Sequence, residues 1–126
     1  MRQWRDNGHW EPPGGFLELD ESILDGLKRE VLEETGLTIE PIRLTGVYKN
    51  MTRGIVALMF LARVVGGKII ISDETNRIDW LEPEAIATRM DPAYAVRVLD
   101  AHREDGPAVR AHDDLSLLAN VATLPR

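Results

Sequence analysis

Apolar residues recur at helical spacing in one clear stretch of this chain. Ile23, Leu24, Leu27, Val31 and Leu32 fall on one stripe of a 3.6-residue helix. Ser22 precedes the stripe as an N-cap residue and Gly36 follows it as a C-cap, so the pattern predicts a helix from Ser22 to about Thr35. Asp20 and Glu21 lie just before it, where the helix dipole favours negative charge. Upstream, Pro12 and Pro13 stiffen a loop from Trp10 to Gly15, and Gly14-Gly15 lets the backbone approach a neighbour closely. Phe16-Leu17-Glu18-Leu19 alternates weakly and predicts a short strand. Ile39–Lys49 and Ile55–Val65 read as strands joined by a turn at 50–54; the second is almost wholly apolar and is expected at the centre of a sheet. Residues 1–5, Ile69–Ile71 and Ile78–Leu81 read as further strands. Pro83 suits the first turn of a helix, and Ala93–His102 reads as another. After Glu104 the pattern fades past Gly106-Pro107, and 105–126 reads as a loosely attached tail. Helices interspersed with strands predict an α/β fold, organised as a single domain over 1–126.

Composition narrows the functional classes. With 44% hydrophobic and 29% charged residues among 126, the chain has the balance of a soluble domain able to bury one core. Its net charge of −6 repels a nucleic-acid backbone and argues against a duplex-binding role. The absence of cysteine excludes disulfides, thiolate catalysis and Cys-type zinc sites. The apolar run that starts at Ile55 is far too short to span a membrane, and no apolar leader opens the chain, so a cytoplasmic protein is expected. His9, His102 and His112 show no ligand spacing and are expected at the surface or in the core.

The predicted first helix carries the candidate chemistry. Glu30, Glu33 and Glu34 sit at i, i+3 and i+4 and share a face. Like charges so placed cost a helix about 0.2–0.5 kcal/mol each, a cost that a divalent cation would offset. Alone, such a cluster reads as a solvated face. Gly15, Glu21, Arg29 and Gly36 change that reading, because together the residues spell G-x5-E-x7-R-E-U-x-E-E-x-G-U, with U a bulky aliphatic residue. By average residue usage a chance match is rarer than about one in a million chains. The stretch Gly15–Leu37 resembles the Nudix box at every fixed position. Trp10-Glu11-Pro12-Pro13-Gly14-Gly15 resembles the family's W-x-x-P-G-G entry, and Trp80-Leu81-Glu82-Pro83 its later post-strand segment.

The resemblance implies a Nudix-like α/β/α sandwich around a mixed sheet. Only fourteen residues precede Gly15, so the first strand is expected to be shortened, and a homodimer is one way to complete the sheet. It also implies Mg²⁺- or Mn²⁺-dependent hydrolysis of a phosphoanhydride in a nucleoside diphosphate linked to another moiety. By family likeness Glu33 and Glu34 are the principal metal ligands, Glu30 joins them, and the Gly15 carbonyl completes the shell. Arg29 is expected to orient Glu33, and Glu21 to support the loop or a second metal. The general base is Glu30 or a later loop acid, for which Glu74 beside Asp73 is the best candidate. Lys49 and Arg53 flank a turn and could hold phosphate, against the plainer reading of a solvated turn. Trp10 and Trp80 are expected to pack, and Tyr48 to pack in its strand rather than stack a base. Gly26 stands where the family commonly has alanine and would let a loop lie close. The alternative function is a nucleotide-binding module without turnover; the intact box argues against it. No motif beyond Gly36 singles out a substrate.

Overall fold

The computed structural model describes residues 2–4, 10–71, 75–78, 80–113 and 117–123. Among the described residues ten elements follow one another: β1 (Arg2–Trp4), β2 (Trp10–Glu11), α1 (Ile23–Thr35), β3 (Leu37–Asn50), β4 (Ile55–Gly67), β5 (Thr75–Ile78), α2 (Pro83–Arg89), α3 (Pro92–Asp100), β6 (Ala108–His112) and β7 (Leu117–Thr123). They form a three-stranded sheet in the order β2-β1-β5 and a four-stranded sheet in the order β4-β3-β6-β7. The second sheet is mixed, because β6 runs parallel to β3 and antiparallel to β7. The expected α/β class with a mixed sheet is thus observed.

Two compact units divide the chain: Met1–Pro41 with Ala62–Leu81, and Ile42–Leu61 with Glu82–Arg126. In the first, α1 starts and stops where its caps dictate. The Ser22 hydroxyl accepts the Asp25 N–H at 3.1 Å, and Gly36 adopts φ +79°, a left-handed conformation natural only to glycine. The Gly36 N–H donates to the Leu32 carbonyl at 2.8 Å. Among the described residues, Val31 and Ile39 are the buried apolar residues of this unit. The expected helix stripe is only partly buried: Ile23, Leu24 and Leu32 are about half exposed, and Leu27 half-buried.

Three expected strands are revised here. Phe16–Leu19 is irregular, because side chains satisfy its backbone in place of a ladder: the Phe16 carbonyl accepts from Arg29 and the Glu18 N–H donates to Glu21. Ile69–Ile71 is irregular as well, because the Ile70 N–H is spent on the Thr35 carbonyl at the end of α1, while Lys68 N–H caps Gly36. The strand expected at Ile78–Leu81 lies earlier, as β5, with residue 79 outside the described residues.

The second unit holds a polar core. Tyr48 of β3 is fully buried and donates to the Asp100 carboxylate at the end of α3 at 2.7 Å. Arg110 of β6 clamps the same carboxylate with two bonds of 2.7 Å. The absent side chain at Gly46 leaves room for the Tyr48 ring on the same face of β3. Arg97 of α3 bonds His112 Nε2 at 2.8 Å and lies over the rings of Tyr48 and Tyr94. Ile86, Met90, Ala93, Ala95 and Ala108 supply the apolar part. Two expectations fall here. The apolar β4 is not central; it is last in its sheet order among the described strands, and most of its residues are exposed. The region read as a loose tail contains β6, paired in parallel with β3 from Gly46↔Ala108 to Asn50↔His112, and β7 beside it.

Candidate active site

The box folds as loop and helix within the first unit, and one side chain organises it. The guanidinium of Arg29 has five N–H donors, and each has an acceptor. Nε and Nη2 grip the two carboxylate oxygens of Glu21 at 2.8 and 2.6 Å. Nη2 also donates to the Phe16 carbonyl at 3.2 Å. Nη1 divides its donors between Glu30 Oε1 at 2.8 Å and Glu33 Oε2 at 3.1 Å. Glu21 in turn accepts the Glu18 N–H at 2.8 Å, closing the loop onto the helix. These bonds favour the ionised acid and pull the Glu21 carboxyl down to about 2, with Arg29 the main cause and the Glu18 N–H second. The same contacts raise the Arg29 pKa, the bond to Glu21 first.

Glu30 and Glu34 are set against the glycine pair. The Gly14 N–H donates to Glu34 Oε2 at 2.8 Å. A Cβ on Gly15 would lie closer than 3.0 Å to the Glu30 carboxyl atoms, so only glycine leaves that carboxylate its place. Gly26 is buried, and a side chain there would run into Leu17 and Glu21. The expected close packing of the loop is therefore observed at Gly26.

Gly15, Glu21, Arg29, Glu30, Glu33 and Glu34 thus belong to one cluster, but the acids do not converge on a common point. Among the described residues no group of three or more His, Asp or Glu side chains has ligating geometry. Electrostatics gives the reason: Arg29 compensates the like charges itself, and Glu33 is 60% exposed. The donor set nonetheless suits a hard cation, since carboxylates and a loop carbonyl offer only oxygen. Of the roles expected for Glu21, its contacts are those of loop support. Its bidentate bond to Arg29 was not anticipated: the residues are eight apart, a spacing that does not meet on a helix, and the contact forms because Glu21 precedes the helix and the chain folds back.

Lys49 is exposed near the end of β3 and Arg53 in the following turn, both in the second unit. Asn50 Oδ1 accepts the N–H groups of Thr52 and Arg53 and shapes that turn. Glu74, Asp73 and His9 lie outside the described residues. Trp80, expected to pack, is 73% exposed. Tyr48 packs as expected, His112 is buried and His102 exposed.

A capped helix with a glycine loop folded against its glutamates, on a mixed α/β scaffold, is the arrangement of the Nudix enzymes. The family model described as NUDIX domain matches residues 1–101, and the chain belongs to that family. It is 52% identical over 113 residues to a MutT-like protein of Streptomyces ambofaciens, covering 90% of this chain and 73% of that protein. It is 31% identical over 74 residues to the ADP-ribose pyrophosphatase of Methanocaldococcus jannaschii, covering 56% of this chain and 44% of that one. Among solved structures, an ADP-ribose pyrophosphatase from Streptococcus suis superposes with a TM-score of 0.69 at 25% identity, covering 88% of this chain and 87% of that one.

Proposed function

We propose that the chain hydrolyses the phosphoanhydride of a nucleoside diphosphate linked to another moiety, with Mg²⁺ or Mn²⁺ held by Glu30, Glu33, Glu34 and the Gly15 carbonyl. The observation that carries this reading is the packing of Glu30 and Glu34 against Gly15 and Gly14. When bound, the cation supplies charge neutralisation at the diphosphate and lowers the pKa of water. The chain's own residues do the rest. The glycine loop brings backbone close to the carboxylates, and Arg29 orients Glu30 and Glu33. Glu30 takes the proton of the attacking water, with Glu74 the alternative base.

ADP-ribose is the first compound to test, since that is what the M. jannaschii relative and the S. suis structure are named for acting on. The experiment incubates the protein with Mg²⁺ and ADP-ribose, nucleotide sugars, dinucleoside polyphosphates or nucleoside triphosphates, and separates the products chromatographically. Cleavage of at least one, abolished by chelation and reduced several orders of magnitude in a folded Glu34→Gln variant, is expected. Tight nucleotide binding with no product from any of them identifies a binding module instead.

A further inference from the structure

A cavity of about 130 Å³ opens within the second unit, between β3 and the loop that follows α3. Arg43 and Leu44 line it from β3, Asp100 and Arg103 from the end of α3 and just beyond, and Pro107 from the approach to β6. The two arginines are underused there. Arg43 is half-buried, yet of its five N–H donors one is spent among the described residues, on the Ala101 carbonyl at 3.2 Å. Arg103 turns Nε and Nη2 to Asp105, while its Nη1 stands 3.7 Å from Asp100, beyond hydrogen-bond reach. The nearby acids do not cancel this charge. Asp100 is already clamped by Arg110 and Tyr48, and Asp105 is 58% exposed. Arg43, Arg103 and Arg110 against Asp100 and Asp105 leave one positive charge at the cavity, in a chain whose net charge is −6.

We propose that this cavity is a site for a small tetrahedral oxyanion of the phosphate class, gripped by Arg43 with Arg103 as the second donor. Guanidinium donors match such oxygens in geometry and in charge. Leu44 and Pro107 keep water from part of the wall, and the lower local dielectric strengthens the attraction. Thr45 contributes shape, because its hydroxyl already donates to the Met59 carbonyl at 3.1 Å. Size decides between the sources of such a group. The cavity has room for several waters, and so for an inorganic phosphate. It lies well below the roughly 300–1,000 Å³ of pockets that enclose a ligand as large as a nucleotide. The occupant is therefore the free ion and not the phosphoryl group of a nucleotide. None of these residues belongs to the Nudix box, and phosphate binding here requires no metal.

The test titrates inorganic phosphate into the protein in chelator, with sodium chloride at matched ionic strength as the reference. NMR follows the side-chain Nε–H resonances of Arg43 and Arg103 and the backbone amides of residues 101–106. Saturable shifts are expected with phosphate and not with chloride. Arg43→Gln is expected to weaken binding about tenfold, the worth of one charge-assisted hydrogen bond. Asp105→Asn acts in the opposite direction: it removes an exposed acid, releases Arg103 and is expected to tighten binding severalfold. Because Asp105 is exposed, that variant decides the matter should Arg43→Gln fail to fold. Adenosine monophosphate in place of phosphate is expected to leave both arginine resonances unmoved; saturable shifts with it overturn the free ion as the occupant. Phosphate shifts that match those of chloride, Arg43→Gln binding as the wild type does, or Asp105→Asn binding no more tightly, overturn the site.

Discussion

Arg29 and Glu21 show how a single pair orders a loop whose sequence suggests a strand. Phe16–Leu19 has the alternation of a strand, yet its backbone groups find acceptors and donors on side chains nearby. The pair also makes a prediction about acid stability. Glu21 is held down to about 2 from an unfolded value near 4.5, so its folded form is the more acidic. With that sign, its stabilisation is complete above about pH 4.5 and is lost as the pH falls toward about 2. Across that window the melting temperature of the wild type should fall more steeply than that of Glu21→Gln, and the two curves should run parallel at neutral pH. Parallel curves throughout would remove Glu21 from the account of acid unfolding. Gly26 belongs to the same scale: it departs from the family's usual alanine, and the space it leaves is filled by Leu17 and Glu21.

Among the elements, α1 was the most legible and β6 the least. The helix carries its boundaries in Ser22 and Gly36, whose capping bonds involve residues three or four away. Strand β6 has five residues, and what stabilises it is β3, some sixty positions earlier. Nothing local announces a parallel partner at that distance, so by its sequence Ala108–His112 reads as part of a tail. Its attachment depends on Asp100, which is 4% exposed and joins α3 to β6 through Arg110 and to β3 through Tyr48. Asp100→Asn leaves the half-buried Arg110 without its counter-charge, a loss of about 2–4 kcal/mol, below that of a fully buried pair. Tyr48→Phe removes one hydrogen bond and should cost about 1–3 kcal/mol. Urea unfolding measures both, and equal small effects would show that the network holds these elements only weakly.

For the whole molecule, the large question is what covers its apolar surface. Val56, Val64 and Val65 of β4 are exposed, as are Ile69, Ile70 and Ile71 just after it. A long apolar strand at the end of a sheet invites another chain. We propose the homodimer as the state that buries it, and light scattering should then return twice the chain's 14.2 kDa. A species of 14.2 kDa alone at micromolar concentration excludes it. The residues that make β4 read as central are the same ones left exposed, because an apolar run states only that burial is favourable and does not name the partner.

The amino-acid order by itself determined the capped helix, the glycine loop before it, the acidic face and the family those residues mark. All of these depend on spacings of a few residues, within which covalent geometry fixes who meets whom. Tertiary structure alone decided that Arg29 pairs bidentately with Glu21, that β6 lies parallel to β3, and that Asp100 is buried against Arg110 and Tyr48. Those contacts join residues whose separation along the chain carries no information about their separation in space. They form only when the loops between them close, and the entropy of closure is recovered by the packing they complete.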